Sequence, residues 1–315
     1  MNSIEVNNLT KKFGKFISVD SISFEVKQGE VFGFLGANGA GKSTTIKMLC
    51  GILEPTSGNA KVGGFDIVKE PEKVKNQIGY MSQKFSLYED LTVEENINFF
   101  GGVYSLSNSK LDERKSWVIN MAGLTGKEKS LTASLAVGFK QRLALGCAFI
   151  HEPRIVFLDE PTGGVDPISR KNFWELINEL SNDGVTVFVT THYLDEAEFC
   201  NRIMMIDAGK IIAGGSPSEL RTNYLNNLIL EIECSDSDKA IEILSQYNWS
   251  KSVSFFSNYV HITLVENTEI NFENHIIEEI RKILSEENKL NVVRIEKISP
   301  KLEDVFVNLL DKNKN

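Results

Sequence analysis

Apolar and polar residues alternate through the first thirty positions, with Ile4 and Val6, then Ile22, Phe24 and Val26, on one side of the alternation. That period of two predicts half-buried strands over 4–6 and 21–26, closed by a turn at Gln28 and Gly29. The unbroken apolar run Val31, Phe32, Gly33, Phe34, Leu35 predicts a short buried strand. Residues 44–49 have helical spacing, with Gly51 as the C-cap. A turn over 54–58 leads to strands at 60–62 and 78–83. From 92 to 150 the pattern is mostly helical, opened by a capping box at Thr92 and Glu95 and interrupted by a loop near 105–109. Strands are predicted again over 154–160 and 185–191, then a hairpin over 203–212. Beyond Leu220 the pattern changes to a strand at 228–233, a helix at 236–247, a hairpin (253–256 and 260–265) around Ser257 and Asn258, an amphipathic helix at 270–284 and a strand at 292–298. This β-α-β-β-α-β order is the split βαβ, ferredoxin-like arrangement. A last helix is predicted with Ser299 as N-cap and Pro300 at N1.

The chain has 315 residues, enough for two domains. We place the boundaries at 1–220 and 227–315, with a helical subdomain from about 87 to 150. A hydrophobic content of 42% and a charged content of 24% are those of a globular protein. The net charge of −9 argues against a broad nucleic-acid surface, and no nucleic-acid partner is expected. The four cysteines, Cys50, Cys147, Cys200 and Cys234, form no CxxC pair, which points to reduced thiols rather than a zinc site. The first residues lack the apolar core of a signal peptide, and no apolar run approaches the roughly 20 residues of a membrane helix.

Chemistry concentrates in Gly36, Ala37, Asn38, Gly39, Ala40, Gly41, Lys42, Ser43 and Thr44. Gly36, Gly41, Lys42 and Ser43 hold the fixed positions of the phosphate-binding loop G-x-x-x-x-G-K-[ST]. Glycines bring backbone N–H groups close to an anion, the lysine supplies a charge for the β- and γ-phosphates, and the Ser43 hydroxyl can ligate Mg²⁺. A strand before the loop and a helix after it complete an anion site. Asp159 and Glu160 end a predicted strand; beside such a loop, one carboxylate can hold Mg²⁺ through water and the other can accept a proton from an attacking water. Gln83 follows another predicted strand and can ligate Mg²⁺ or orient a water. His192 directly follows the strand at 185–191, where it can bond a γ-phosphate and sense its loss. Phe13, before Gly14, reads as core when taken alone, or as a surface on which a nucleotide base stacks. In the C-terminal part no titratable cluster is evident, which makes it a docking or regulatory module.

Taken in order, these residues resemble the ATP-binding subunit of ABC transporters over nearly the whole chain. Phe13 stands where that family has its adenine-stacking aromatic, Gly36 through Thr44 match Walker A, and Gln83 matches the Q-loop. Asp159 and Glu160 end Walker B, Gly163, Gly164, Val165 and Asp166 match the D-loop, and His192 matches the switch histidine. The resemblance implies an α/β fold, a P-loop NTPase (RecA-like) core with an antiparallel β subdomain and a helical subdomain, to which the pattern read above adds the small α+β ferredoxin-like C-terminal domain. It implies ATP hydrolysis with Mg²⁺ held by Ser43, Gln83 and Asp159, with Lys42, Gln83, Glu160 and His192 as the catalytic set. The implied partners are an integral membrane permease on a separate chain and a second ATP-binding subunit in a head-to-tail homo- or heterodimer. The implied location is the cytoplasmic face of the cell membrane. The stretch Ser299, Pro300, Lys301, Leu302, Glu303, Asp304, Val305, Phe306 is similar to the C-terminal extension of ABC-2, multidrug-type export subunits.

One motif departs from the family. The signature L-S-G-G-x-x-Q-R reads Leu135, Ala136, Val137, Gly138, Phe139, Lys140, Gln141, Arg142 here. In the family the serine and the backbone after it contact the γ-phosphate bound by the opposite subunit. Ala136 forfeits a charge-assisted hydrogen bond of about 1.5–3 kcal/mol. Val137 adds a branched side chain where close backbone approach is needed. The altered signature motivates an alternative, an ATP-binding regulatory subunit whose weak turnover gates a partner. A soluble ABC protein acting on nucleic acid or ribosomes is a third reading, and the single nucleotide domain speaks against it.

Overall fold

In the computed structural model, residues 1–83, 87–224, 227–256, 258–265 and 272–314 are described. The chain divides into two compact units, Met1–Pro217 and Ser218–Asn315.

The first unit opens with a long hairpin, β1 (Asn2–Phe13) and β2 (Phe16–Lys27), much longer than the alternation predicts. Register shifts along the pair interrupt the period of two, which hid the outer half of each strand. β3 (Val31–Leu35) is buried at every position, followed by α1 (Lys42–Leu49). β4 (Ser57–Val62) and β5 (Phe65–Asp66) join the hairpin in an antiparallel sheet of order β2-β1-β4-β5. After α2 (Pro71–Lys75) comes β6 (Ile78–Met81), two residues shorter than predicted. The helical part holds α3 (Val93–Val103), α4 (Asn108–Ala122) and α5 (Val137–Ala148). The predicted capping box is present, with Glu95 N donating to Thr92 Oγ1 and Thr92 N to Glu95 Oε2. β7 (Ile155–Asp159), α6 (Pro167–Asn182), β8 (Thr186–Thr191) and the hairpin β9 (Arg202–Asp207) and β10 (Lys210–Gly215) complete the unit.

The main sheet has the order β10-β9-β3-β8-β7-β6, and every pairing in it is parallel except β9 with β10. β3 is therefore central and covered on both faces, which explains its unbroken apolar run. Phe24, Phe32, Phe34, Phe157 and Phe188 pack ring against ring around it, with centroids 5.4 to 6.1 Å apart. Each such ring contributes about 1.5–3 kcal/mol by leaving water. This core fixes where the carboxyl ends of β3, β7 and β8 lie, and ligands of open parallel sheets bind at those ends.

In the second unit, α7 (Pro217–Tyr224, which starts on the last residue of the first unit) precedes β11 (Ile229–Cys234), α8 (Ser237–Leu244), β12 (Ser250–Phe256), β13 (Tyr259–Leu264), α9 (Phe272–Arg281), β14 (Val292–Ile298) and α10 (Leu302–Lys314). The sheet order is β12-β13-β11-β14, antiparallel throughout. Leu230, Ile232, Val260, Ile262, Ile276, Ile280 and Leu284 form its core. Of the predicted hairpin turn and the start of the predicted helix at 270–284, Ser257, Ile270 and Asn271 lie outside the described residues. The last helix begins two residues after Pro300, not at it: Asp304 Oδ2 accepts from Lys301 N at 2.9 Å and takes over the capping predicted for Ser299.

Candidate functional site

The loop Gly36–Thr44 leaves the carboxyl end of β3 and enters α1. Two glycines are required by space. A Cβ on Gly36 would stand 2.3 Å from Ile206 O, and one on Gly41 would stand 2.5 Å from Ser18 O. Gly41 also has φ +110°, in the left-handed region. It is the N-cap of α1 and offers no side-chain acceptor, so the first N–H groups of the helix remain available to an anion. Lys42 Nζ donates to Gly36 O (2.8 Å) and Ala37 O (3.1 Å). Thr44 Oγ1 accepts from Ser18 Oγ at 2.9 Å, and Ala40 N donates to Ala37 O at 3.1 Å.

Facing the loop, β7 ends on Asp159, whose Oδ1 accepts from Ser43 Oγ (3.1 Å) and from Thr190 Oγ1 (2.6 Å). Glu160 comes next with φ +48°, an unfavourable backbone for a residue with a side chain. Its N–H is shared between Thr190 O and Thr190 Oγ1, each at 3.1 Å, which pins the strained peptide to β8. The Glu160 carboxylate is buried among three predicted partners. Lys42 Nζ is 3.1 Å from Oε1, Gln83 Nε2 donates to Oε2 at 2.8 Å, and His192 Nδ1 lies 3.2 Å from Oε2 without hydrogen-bond alignment. Lys42, at the start of α1, thus converges with Gln83, Glu160 and His192, each just past the carboxyl end of β6, β7 and β8.

Phe13 is half-exposed rather than core, which removes the packing reading. With the still more exposed Phe16 it rims a cleft of about 460 Å³ whose walls include Asn38, Gly39, Lys42, Ser43, Gln83 and Glu160. That volume is in the range of small-ligand sites. Phe16 escaped the sequence reading, and the signal was its place at the far side of the Gly14 turn. The oxygen donors of Ser43, Asp159 and Gln83 suit a hard divalent cation such as Mg²⁺. Among the described residues no group of three or more His, Cys, Asp or Glu is placed to hold a metal by itself. A cation here would share its shell with phosphate oxygens and water, as Mg²⁺ commonly does.

None of the signature residues lines this cleft. Ala136 is the N-cap of α5, with extended backbone and no side-chain cap, and Val137 is exposed on the first turn. Gly138 is held close to α6: a Cβ there would meet Ser169 Cβ and Oγ at 2.8 Å. Leu135 and Gln141 are buried. Asp166 caps α6, its Oδ1 accepting from Ile168 N and Ser169 N at 3.1 and 3.0 Å. The N–H and hydroxyl of Ser169, joined by the Ile168 N–H, hold its carboxyl below the usual carboxylate range.

Two buried clusters were not legible in the sequence. Glu196, fully buried in a 3₁₀ turn (Glu196–Phe199), accepts hydrogen bonds from Thr162 Oγ1 and Thr191 Oγ1. Burial pushes its carboxyl up, against the opposing effect of the two hydroxyls and Arg170. In the second unit His261 is buried between Asp304 Oδ1 (2.9 Å from Nδ1) and Glu231 Oε2 (3.1 Å from Nε2), which corrects the reading that this part holds no titratable cluster.

Residues 19–163 match the ABC transporter family. The probable multidrug ABC transporter ATP-binding protein YbhF of Escherichia coli (strain K12) is 53% identical over 224 residues, 71% of this chain and 39% of the relative. The chain therefore spans well under half the length of that relative. The linearmycin resistance ATP-binding protein LnrL of Bacillus subtilis (strain 168) is 35% identical over 309 residues, 97% of each chain. This chain belongs to the ABC transporter ATP-binding family. That family consists of ATPases coupled to transport. The fold agrees: an ATP-binding cassette solved as a dimer in a post-hydrolysis state with ADP and Pi superposes with a TM-score of 0.62 at 26% identity, covering 68% of this chain and 98% of that one. Among the described residues no helix is long and apolar enough to cross a membrane.

Proposed function

We propose that the chain binds and hydrolyses ATP to drive export through an integral membrane permease on a separate chain, working at the cytoplasmic face of the cell membrane. The carrying observation is the convergence of Lys42, Gln83 and His192 on the Glu160 carboxylate beside the phosphate loop. The adenine stacks on Phe13, the phosphates take the N–H groups of residues 36–44, and Lys42 turns from Glu160 to the β- and γ-phosphates. Mg²⁺, when bound by Ser43, Asp159 and Gln83, neutralises phosphate charge. Glu160, released from Lys42, orients the attacking water and accepts its proton, while His192 bonds the γ-phosphate and registers its loss. The names of the drug-resistance relatives support export. The exposed first turn of α5 and the Asp166-capped start of α6 suit a head-to-tail dimer. There Ala136, Val137 and Gly138 would face the ATP held by a second ATP-binding subunit, with the buried Leu135 and Gln141 behind them rather than in contact with it. We read the second unit, whose strand order is that of a split βαβ fold, as a ferredoxin-like accessory domain.

The test is Glu160→Gln. ATP binding should persist while hydrolysis falls by roughly 10²–10⁴-fold, the usual worth of a positioned base. Hydrolysis at the wild-type rate would remove Glu160 from this role. Pull-down of the tagged chain from solubilised native membranes should bring a membrane protein with it, and its absence would remove the transporter reading. The uncapped α5 favours one second reading, a slow ATPase that gates its partner. Rapid turnover in the presence of that partner would exclude it.

A further inference from the structure

Glu196 is the fully buried carboxylate that the hydrolysis scheme leaves unused, and its contacts run to both sides of the reacting group. Thr162, two residues after Glu160, donates to Oε1. Thr191, the residue before His192, donates to Oε2 at 2.7 Å. Thr191 Oγ1 in turn accepts from Tyr193 N at 2.9 Å, closing a tight turn around the peptide that carries His192. One rigid carboxylate therefore spans the two segments that present Glu160 and His192. A third segment joins through Arg170, whose Nε is 3.4 Å from Oε1. Arg170 lies on the first turn of α6, its N–H donates to Asp166 O at 2.9 Å, and its guanidinium packs 4.4 Å from the Tyr193 ring. That ring lies 4.1 Å from the ring of His192.

We propose that Glu196 is a positioning residue for ATP hydrolysis. It fixes the spacing of Glu160 and His192 through Thr162 and Thr191, and through Arg170 it ties that spacing to the Asp166 loop. The inference rests on the roles proposed above for Glu160 and His192. A carboxylate is required because both hydroxyls donate to it and a cation flanks it. Glutamine in the same place can accept with one atom only, so one hydroxyl loses its acceptor and the segment it anchors is released. Small displacements of reacting groups are costly, about a hundredfold for 1 Å.

Single-turnover hydrolysis by the full chain in excess over ATP tests this, with ATP affinity and melting temperature measured on the same preparations. Glu196→Gln should slow hydrolysis roughly ten- to a hundredfold while ATP affinity stays within about twofold. The double variant with His192→Ala should lose less than the product of the two single losses, because the two changes share the Thr191 anchor while the Thr162 anchor of Glu160 is lost in either background. A wild-type rate in Glu196→Gln, with Glu160→Gln slow, overturns the positioning role alone. Equal losses in rate, affinity and melting temperature, with additive effects in the double variant, overturn it in favour of a purely structural carboxylate. Wild-type rates in both Glu160→Gln and His192→Ala overturn the site reading and this inference with it. Should Glu196→Gln not fold, Thr162→Val, which keeps the carboxylate, is expected to show the same selective loss of rate, and a wild-type rate there overturns the proposal.

Discussion

Lys42 Nζ lies 3.1 Å from Glu160 Oε1, and both side chains are buried. In this arrangement the proposed phosphate-binding cation and the proposed base form an ion pair. A phosphate that takes Lys42 must therefore also release Glu160. Lys42→Ala leaves Glu160 a buried carboxylate without its cation and with only the Gln83 hydrogen bond to its side chain, a loss of up to about 3–5 kcal/mol. The expected outcome in thermal denaturation is a lowered melting temperature for the nucleotide-free chain that added ATP no longer raises.

Gly41 and Gly39 both have positive φ, +110° and +83°, but their surroundings differ. A Cβ on Gly41 meets Ser18 O at 2.5 Å, while one on Gly39 meets nothing within 4 Å. Gly39→Ala should cost only the backbone strain, about 1–2 kcal/mol. Gly41→Ala adds a clash with backbone and should abolish ATP binding. Isothermal titration with ATP separates the two, and equal losses would contradict the geometric argument.

Ala136 has the extended backbone of an N-cap, φ −62° and ψ 151°, without the side chain of one. Ala136→Ser supplies an acceptor for the first N–H groups of α5. Chemical denaturation should register a gain of about 0.5–2 kcal/mol. If the departed signature limits turnover, the same variant should also hydrolyse ATP faster.

Charge within the second unit makes its stability depend on pH from both sides. Burial disfavours the His261 imidazolium, yet the hydrogen bond and charge of Asp304 and the bond to Glu231 outweigh it and raise the pKa above the ordinary 6.5. The imidazolium's contribution is therefore complete below pH 6.5 and is lost as pH rises through the higher folded value. Burial alone would lift Glu231, but the His261 hydrogen bond and the Lys301 charge outweigh it and lower its pKa from 4.5. Its contribution is present above pH 4.5 and is lost as pH falls through the depressed folded value. Amide hydrogen exchange in β11 and β13, corrected for intrinsic rates, should show greatest protection between these limits. His261→Gln should abolish the alkaline decline.

The phosphate loop was legible because its demands are local: glycines for space and backbone, a lysine for charge, a strand before and a helix after. Asp159, Glu160 and His192 were legible because each ends an apolar run. Glu196 was not, because its neighbour Asp195 is charged and the pair reads as solvated surface. Its burial depends on Thr162, 34 residues away in the chain. His261 was hidden for the same reason, since its partners Glu231 and Asp304 are 30 and 43 residues distant. The length of β1 and β2 was lost to register shifts. Pro300 misled because the side chain that caps α10 comes from inside the helix, at Asp304.

The strand order carries a consequence for how the protein is made. β3 pairs with β8 and β9, both of which lie more than 150 residues later in the chain. During synthesis, at about 5–20 residues per second, the apolar strand that bears the phosphate loop waits on the order of ten seconds with both edges unpaired. Such edges invite pairing with other chains, so chaperones have their longest opportunity here. Until His192 has emerged the proposed catalytic set is incomplete, so a chain stopped before β8 ends would lack its γ-phosphate contact.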